Sequence, residues 1–384
     1  MGTEPGALLR EDLRERDLAT VEMDIHMGPQ HPSTHGVLHL ELILDGEEIV
    51  RAIPDIGFLH RGIEKICETW KISHAPIMAD RADYISGYNN EFALCLAAET
   101  LSKITAPPRA QVARVILAEL NRIVSHMMFY GAFIADAGLT TGFMYGFVVR
   151  ELVQDLFERI SGARLLHHYI SVGGLKEDLP ESPKPFKDMV RDVLAQIRPA
   201  LRQVVDLTTE SDFLIARARN VNPLSTEAAL ELGITGPLLR ATGLAYDVRT
   251  AAPYSGYERY NFEVPTGTTG DVYDRYTVRL REIEESIRIV EQALDLLVDG
   301  PIKAELPRVL RLPPGEAYAR TESPRGELGV FLVGNGKLNA YRVKIRAPSF
   351  SHAAALEALL EGAWIADAVI IGGSTDLVMG EVDR

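Results

Sequence analysis

The chain has 384 residues, of which 46% are hydrophobic and 24% charged, a composition typical of globular proteins. Its 40 basic and 54 acidic residues give a formal net charge of −14, and no basic stripe of the kind that binds nucleic acid appears. Its two cysteines, Cys67 and Cys95, exclude a disulfide framework and a CxxC metal site, and we expect two buried thiols. Neither a signal peptide nor an apolar run long enough to span a membrane is evident.

The first half of the chain predicts a short β element followed by long helices. Residues 1–20 are highly charged and predict a flexible N-terminal arm. From Val37 to Ile53 apolar and polar residues alternate around Asp45-Gly46, which indicates a β-hairpin. Apolar residues at helical spacing then predict helices over 79–104, 107–137, 143–161, 186–210 and 272–299.

The C-terminal part changes character. Residues 300–326 are rich in proline and predict irregular structure, and the next stretch predicts a hairpin turning at Asn335-Gly336. A short helix is expected near 352–362. We therefore predict an α+β fold made of three parts. These are an N-terminal β element over 21–60, a central helical bundle over 61–300, and a small C-terminal β region and tail over 301–384.

The loop MGPQHPSTHG, just before the first hairpin, concentrates groups that could carry chemistry. Two prolines and two glycines constrain it, and it contains His31, Ser33, Thr34 and His35. Such density suits a binding site, and histidine can exchange a proton near neutral pH. Alternatively, these side chains only hydrogen-bond the backbone of a turn. The residues alone leave both possibilities open.

Arg81, Asp83, Tyr84 and Tyr88 fall near the start of the first predicted long helix. There the two tyrosines would lie one turn apart on one face. A tyrosine hydroxyl can donate a proton while its ring contacts a planar apolar ligand. The alternative is an ion-paired helix start with packed tyrosines.

Asp136 ends an otherwise apolar helical stretch. Its carboxylate is either a solvated helix end or a partner for a buried histidine. The adjacent His167 and His168 diverge on a helix, which favours a structural role over a metal site.

Signatures of several common enzyme classes are missing from the sequence. Neither a GxGxxG fingerprint nor a GxxxxGK[ST] phosphate loop is present, so nucleotide binding by these motifs is excluded. A GxSxG nucleophile motif is also missing.

Twelve strings, in order from residue 28 to the last residue, resemble one family, the large quinone-site subunit of respiratory complex I. They are GPQHPSTHGVL (28–38), LHRGIEK (59–65), RADYIS (81–86), PPRAQVARVILAELNRI (107–123), VGGLKEDLP (172–180), LLRATG (238–243), YDVR (246–249), PYSGYERY (253–260), GDVYDR (270–275), ESPRGELG (322–329), YRVKIRAPSF (341–350) and VMGEVDR (378–384).

That family is related to the large subunits of NiFe hydrogenases, which hold their metal with two pairs of cysteines. The resemblance places Asp83, Ser86, Val378 and Glu381 where those four cysteines would stand. A nickel centre needs soft sulfur ligands, so we expect a hydrogenase-like fold without a metal site or hydrogenase activity.

The resemblance also implies the position of a quinone. The head group would contact His35 and Tyr84, and Asp136 would be the acidic partner of His35. Arg61 and Arg81 would lie near the 4Fe-4S cluster of a small iron–sulfur partner, which supplies the electrons. This chain would bind no cofactor alone, the quinone being its substrate.

The implied setting is a proton-pumping NADH:quinone oxidoreductase. Further partners would be other peripheral-arm subunits and the membrane subunit of the quinone channel. The chain would be peripheral on the cytoplasmic side of the inner membrane, reaching the membrane through partners, with no nucleic acid bound. Two alternatives are a complex driven by ferredoxin or deazaflavin, and a scaffold subunit that bridges the hydrophilic and membrane arms.

Three departures from the family pattern bear on these alternatives. Leu166 and Ser171 stand where members often have a histidine and an arginine, which puts the coupling of cluster redox state to pH in doubt unless His167 substitutes. A helical segment usual before the string ESPRGELG is missing, and Leu377 replaces a proline.

Overall fold

The computed structural model describes residues 22–30 and 37–384. The helices are α1 (Ile63–Thr69), α2 (Pro76–Ala79), α3 (Gly87–Ser102), α4 (Pro108–Asp136), α5 (Thr140–Ser161), α6 (Phe186–Thr208), α7 (Asp212–Ala218), α8 (Thr226–Glu231), α9 (Pro237–Arg240), α10 (Val248–Ala251), α11 (Val272–Leu296), α12 (Pro348–Leu360), α13 (Ile365–Ser374) and α14 (Met379–Asp383). The strands are β1 (Glu22–Met27), β2 (His39–Asp45), β3 (Glu48–Asp55), β4 (Ile170–Ser171), β5 (Gly174–Leu175), β6 (Gly315–Ser323), β7 (Gly326–Gly334) and β8 (Arg342–Arg346). The predicted α+β class is confirmed.

The N-terminal sheet has the antiparallel order β1-β2-β3. Its β2–β3 pair is the predicted hairpin, and alternate residues of β2, namely Leu40, Leu42 and Leu44, are buried. Strand β1 was not predicted and pairs with β2. The predicted arm (1–20) and residues 31–36 of the histidine-containing loop lie outside the described residues.

The bundle is built around α4, which packs against α5 and α11. Two glycines of α5 permit its close approach to α4. A Cβ added at Gly146 would lie 2.6 Å from a ring carbon of Tyr130, and one at Gly142 only 2.4 Å from a methyl of Ile134. The structure confirms the predicted helices that correspond to α4, α5, α6 and α11. Within the described part of the chain, no helix combines the length and the apolarity needed to cross a bilayer.

The helix predicted over 79–104 is wrong at its start. Helix α2 ends at Ala79, a turn follows, and α3 begins only at Gly87. Tyr84 therefore lies in the turn, whereas Tyr88 lies in the core with its ring stacked on His167. The two tyrosines do not share a helical face.

The C-terminal sheet has the order β6-β7-β8. The predicted hairpin is present as β7 and β8. The prediction of irregular structure over 300–326 is wrong for β6, which pairs with β7 along its full length. A two-residue turn, Pro324-Arg325, joins β6 to β7. After α12 and α13 the chain ends in α14, whose five residues are all buried.

Candidate functional site

The turn between α2 and α3 is built around the side chain of Asp83. Its Oδ1 accepts hydrogen bonds from the backbone N–H groups of Ile85 (3.1 Å) and Ser86 (3.2 Å). Such local side-chain bonds compete with helical bonding. Its Oδ2 accepts a 2.8 Å hydrogen bond from Arg325. The turn is thus held by hydrogen bonds within itself and by Arg325 of the β6–β7 hairpin. Tyr84, which directly follows Asp83 in this turn, is half-buried.

The C-terminal helix α14 forms one wall of the space around Tyr84. A Cβ added at Gly380 would lie 3.0 Å from Cε1 of Tyr84 and 2.7 Å from Nη2 of Arg61. Arg61 Nη2 donates to the carbonyls of Arg81 (2.8 Å) and Gly380 (3.2 Å). The structure therefore brings two predicted site residues, Tyr84 and Arg61, together against Gly380, and Arg61 also binds the backbone carbonyl of the third, Arg81.

Asp383 fastens this wall to the segment after β3. Its carboxylate accepts from the backbone N–H groups of Gly57 (2.9 Å) and Leu59 (2.7 Å). The His60 Nδ1 lies 2.7 Å from the carbonyl oxygen of Asp383. These bonds hold α14 beside Arg61, which directly follows His60.

The Tyr84 hydroxyl is suited to act as a hydrogen-bond donor. Burial, followed by the charge of nearby Asp83, raises the pKa of Tyr84, while Arg325 and Arg61 oppose the rise. The phenol therefore stays protonated at neutral pH. In the part of the chain that the structure describes, no side chain or backbone group hydrogen-bonds this hydroxyl.

Beneath the turn lies a buried ionic cluster centred on Arg325. Besides Asp83, this arginine donates to Ser125 Oγ (3.1 Å) and to the backbone carbonyl of Asp376 (3.0 Å). The Asp376 carboxylate is 3.4 Å from Arg325 and 3.7 Å from Arg279. Because Asp83 and Arg325 are fully buried, each compensates a charge that water cannot reach.

Glu381, at one of the four positions that the resemblance aligned with hydrogenase cysteines, belongs to the same cluster. Its Oε2 accepts from the backbone N–H of Ser349 at 3.3 Å and from the Ser349 hydroxyl. Burial, followed by the charge of Asp83, raises the pKa of Glu381 to about 7. No group of three or more His, Cys, Asp or Glu side chains within 22–30 and 37–384 is arranged to hold a metal ion.

Asp136 stands at the last turn of α4, facing α13. A Cβ added at Gly373 would lie 3.2 Å from Asp136 Oδ2. The chain from α13 to α14 therefore touches both Asp136 and Tyr84. His35 lies outside the described residues, so its predicted contact with Asp136 remains a prediction.

The two adjacent histidines separate. His167 is buried, stacks on Tyr88 at 4.2 Å between ring centroids, and its pKa is lowered to about 4 by burial. It is therefore neutral at physiological pH and packed in the core. His168 lies nearer the candidate site, where burial, Lys176, His74 and Arg81 lower its pKa.

Sequence reasoning did not assign Arg325 or Gly380 to the site, although both occur in strings that carry the family resemblance. Recognising Pro324-Arg325 as the two-residue turn of a hairpin could have indicated that the position of Arg325 is fixed by the two strands. For Gly380 the local sequence pattern contained no such signal.

Comparisons with known proteins give one consistent result. Residues 136–311 and 307–384 match the family described as "Respiratory-chain NADH dehydrogenase, 49 Kd subunit". An NADH-quinone oxidoreductase subunit of Desulforamulus reducens is 44% identical over 366 residues, 95% of this chain and 99% of that protein. NADH-quinone oxidoreductase subunit 4 of Thermus thermophilus is 42% identical over 394 residues, 96% of either chain. An NADH-quinone oxidoreductase subunit of Bacillus mycoides is 41% identical over 367 residues, 95% of this chain and 100% of that protein.

Proposed function

We propose that this chain forms the head-group site at which quinone is reduced. The chain belongs to the 49 kDa subunit family of respiratory-chain NADH dehydrogenase. It is therefore a subunit of an NADH:quinone oxidoreductase. The complex would pump protons, and this subunit would lie peripherally at the cytoplasmic side of the inner membrane. Its partners would be the small iron–sulfur subunit, other peripheral-arm subunits and the quinone-channel membrane subunit.

The observation that carries the proposal is the set of groups around Tyr84. A half-buried phenol, with no hydrogen-bond partner among the described residues, lies against Gly380 and is flanked by Arg61. Such a phenol is a positioned donor, which a neutral, planar ligand with carbonyl oxygens requires. The raised pKa of Tyr84 keeps that donor protonated.

Reduction of a quinone to a quinol takes up two electrons and two protons. Tyr84 would hydrogen-bond one carbonyl and supply a proton to it, and His35 would do so at the other, with Asp136 as the acidic partner of His35. Positioned acids are effective here because negative charge develops on the quinone oxygens as electrons arrive.

The electrons would come from the 4Fe-4S cluster of the small iron–sulfur partner. Arg61 and Arg81 would lie near that cluster, where positive charge favours its reduced form. The exposed Arg61, whose guanidinium is fixed by the carbonyls of Arg81 and Gly380, supports this placement.

The test is NADH-driven quinone reduction by the purified complex carrying Tyr84→Phe. We expect a loss of at least tenfold, while NADH-driven ferricyanide reduction, which takes electrons upstream, stays unchanged. Tyr88→Phe is the matched control, because the Tyr88 ring is fully buried in the core, where it packs on Phe157 and His167. Removing it should leave quinone reduction within twofold of the wild type.

Two outcomes would contradict the proposal. Unchanged quinone reduction by Tyr84→Phe would place the head group elsewhere or make the chain a scaffold between the two arms. Copurified subunits that accept electrons from ferredoxin or deazaflavin, in place of NADH, would identify the other alternative. The missing helical segment before ESPRGELG does not favour the scaffold alternative. A relative of similar length, from Bacillus mycoides, is likewise named as an NADH-quinone oxidoreductase subunit.

A further inference from the structure

Two acidic residues on either side of the Tyr84 turn face each other inside the protein. Asp80 directly follows α2, and Glu91 lies in the second turn of α3. Both side chains are fully buried. Neither was among the predicted site residues, and neither contacts the pocket around Tyr84 directly.

Each carboxyl group uses one oxygen to hold the same backbone segment. Asp80 Oδ2 accepts from the N–H of His168 at 3.3 Å. Glu91 Oε2 accepts from the N–H groups of Tyr169 (3.0 Å) and Ile170 (2.7 Å). Two side chains thus accept hydrogen bonds from three successive backbone N–H groups. The second oxygen of each carboxyl group, Asp80 Oδ1 and Glu91 Oε1, takes no part in these bonds.

These two remaining oxygens are buried and have no donor among the described residues, and the two carboxyl groups act on each other's pKa. Two ionised carboxylates cannot hydrogen-bond each other, because both are acceptors only. A single hydrogen between Oδ1 and Oε1 would satisfy both atoms. These two oxygens are the ones left for it, since the other two already accept from backbone N–H groups.

Within the described part of the chain, the surroundings supply no close counter-ion that would remove the need for a proton. The titratable or charged groups that face the pair are Arg81, Asp83, Tyr88, Cys95, His168 and Tyr169. Arg81 is the only cation in this set, and its guanidinium donates to the carbonyl of Ile77 at 2.6 Å. Burial raises the pKa of Asp80 to about 7, and burial together with Asp80 raises that of Glu91 well above its usual range.

The pair also fixes where the Tyr84 turn begins and ends. Asp80 opens the turn, and a Cβ added at Gly87, which closes it, would lie 1.9 Å from Asp80 Oδ1. Any side chain at residue 87 would therefore clash with the Asp80 carboxylate in its present position. Repulsion between two buried carboxylates would act directly on this turn, which carries Arg81 and Tyr84.

We propose that Asp80 and Glu91 share one hydrogen and thereby position the Arg81–Tyr84 turn for quinone reduction. This inference rests on the proposed function. Neither residue touches the quinone; both are positioning residues. When the shared proton leaves at alkaline pH, the two carboxylates repel each other and the turn shifts, so quinone reduction falls as the pH rises.

The test uses amide substitutions in the purified complex. In Asp80→Asn, the amide oxygen still accepts from His168 and the amide nitrogen donates to Glu91 Oε1. In Glu91→Gln, the oxygen accepts from Tyr169 and Ile170, and the nitrogen donates to Asp80 Oδ1. Each single variant therefore carries a hydrogen that cannot ionise, whereas the double variant forces two NH2 groups against each other.

We expect each single variant to reduce quinone within twofold of the wild type at pH 7 and to lose less activity than the wild type between pH 8 and pH 10. The double variant should lose at least tenfold at pH 7. Its matched control is the double variant Asp155→Asn, Glu158→Gln, which changes two surface carboxylates bound to Arg164 and should behave as the wild type.

Two results would overturn the inference: single variants as inactive as the double one, or an alkaline decline that the single variants do not diminish. Failure of the proposed function is distinguished by Tyr84→Phe, which would then leave quinone reduction intact. In that case the shared hydrogen can still be tested by measuring the temperature at which this subunit dissociates from the complex. That temperature should fall in the double variant and stay near the wild-type value in the single variants.

Discussion

The charge of Arg325 should determine both the stability of the site and its pH dependence. Arg325 is fully buried and directly compensates Asp83 and Asp376. Replacing it by glutamine keeps hydrogen-bonding capacity but removes the charge. Breaking a buried ion pair from one side costs about 3–5 kcal/mol. For a chain of 384 residues, the unfolding entropy of globular proteins converts this to roughly 4–6 °C in the unfolding midpoint.

The sign of the pH effect follows from Asp83. Burial raises the pKa of Asp83, and the Arg325 guanidinium opposes that rise. In Arg325→Gln the folded-state pKa of Asp83 rises further above its unfolded value. Stability is then fully present at low pH and is lost as the pH increases through the folded-state pKa. The midpoint deficit of the variant relative to the wild type should therefore widen from pH 5 to pH 8.

The assay heats the purified complex at pH 5 and at pH 8. The release of this subunit from the complex is measured as the sign of unfolding. Adding Asp83→Asn to Arg325→Gln should restore at least half of the lost midpoint at pH 8, because the uncompensated charge is then gone. Asp83→Asn keeps an oxygen to accept from Ile85 and Ser86, so the turn survives. Additive losses in the double variant, or a deficit independent of pH, would refute this account.

Two further predictions follow from the packing. Gly380→Ala should lower quinone reduction at least tenfold and leave ferricyanide reduction intact, because its methyl would clash with the Ala82 carbonyl and with Arg61 and would crowd Tyr84. Gly372→Ala, with open space around its Cβ, should be neutral, and equal effects of both variants would contradict the wall assigned to α14. His167→Phe should leave the pH profile of quinone reduction unchanged between pH 6 and pH 8, since the His167 pKa of about 4 keeps it neutral there and a phenyl ring can replace its stack on Tyr88. An altered profile would show that His167 titrates in this range.

The long helices could be predicted because their apolar residues follow one period over many turns. The prediction was wrong at the start of α3 because the same periodicity continues through residues that form a turn. What interrupts the helix is the Asp83 side chain, which binds two N–H groups of its own turn and an arginine 242 residues away. The first contact is local and could be guessed, but the second exists only in the folded chain.

Strand β6 was missed for a related reason. Its sequence follows a proline-rich stretch, and its partner β7 supplies the bonds that make it a strand. The candidate site residues were predicted mainly from the family resemblance. Composition and spacing left Tyr84 and Asp136 with structural alternatives, and they gave no reason to select Gly380, whose importance lies in what it contacts.

The pocket can form only when the end of the chain has folded onto its beginning. Asp383 binds backbone N–H groups 326 and 324 residues earlier, and the wall at Gly380 closes over Tyr84. Closing a loop of this length is entropically unfavourable until other contacts have already brought its ends together. The helical bundle around α4 can provide that proximity, because its contacts are closer in sequence. We therefore expect the bundle to assemble before α14 docks beside Tyr84 and completes its surroundings.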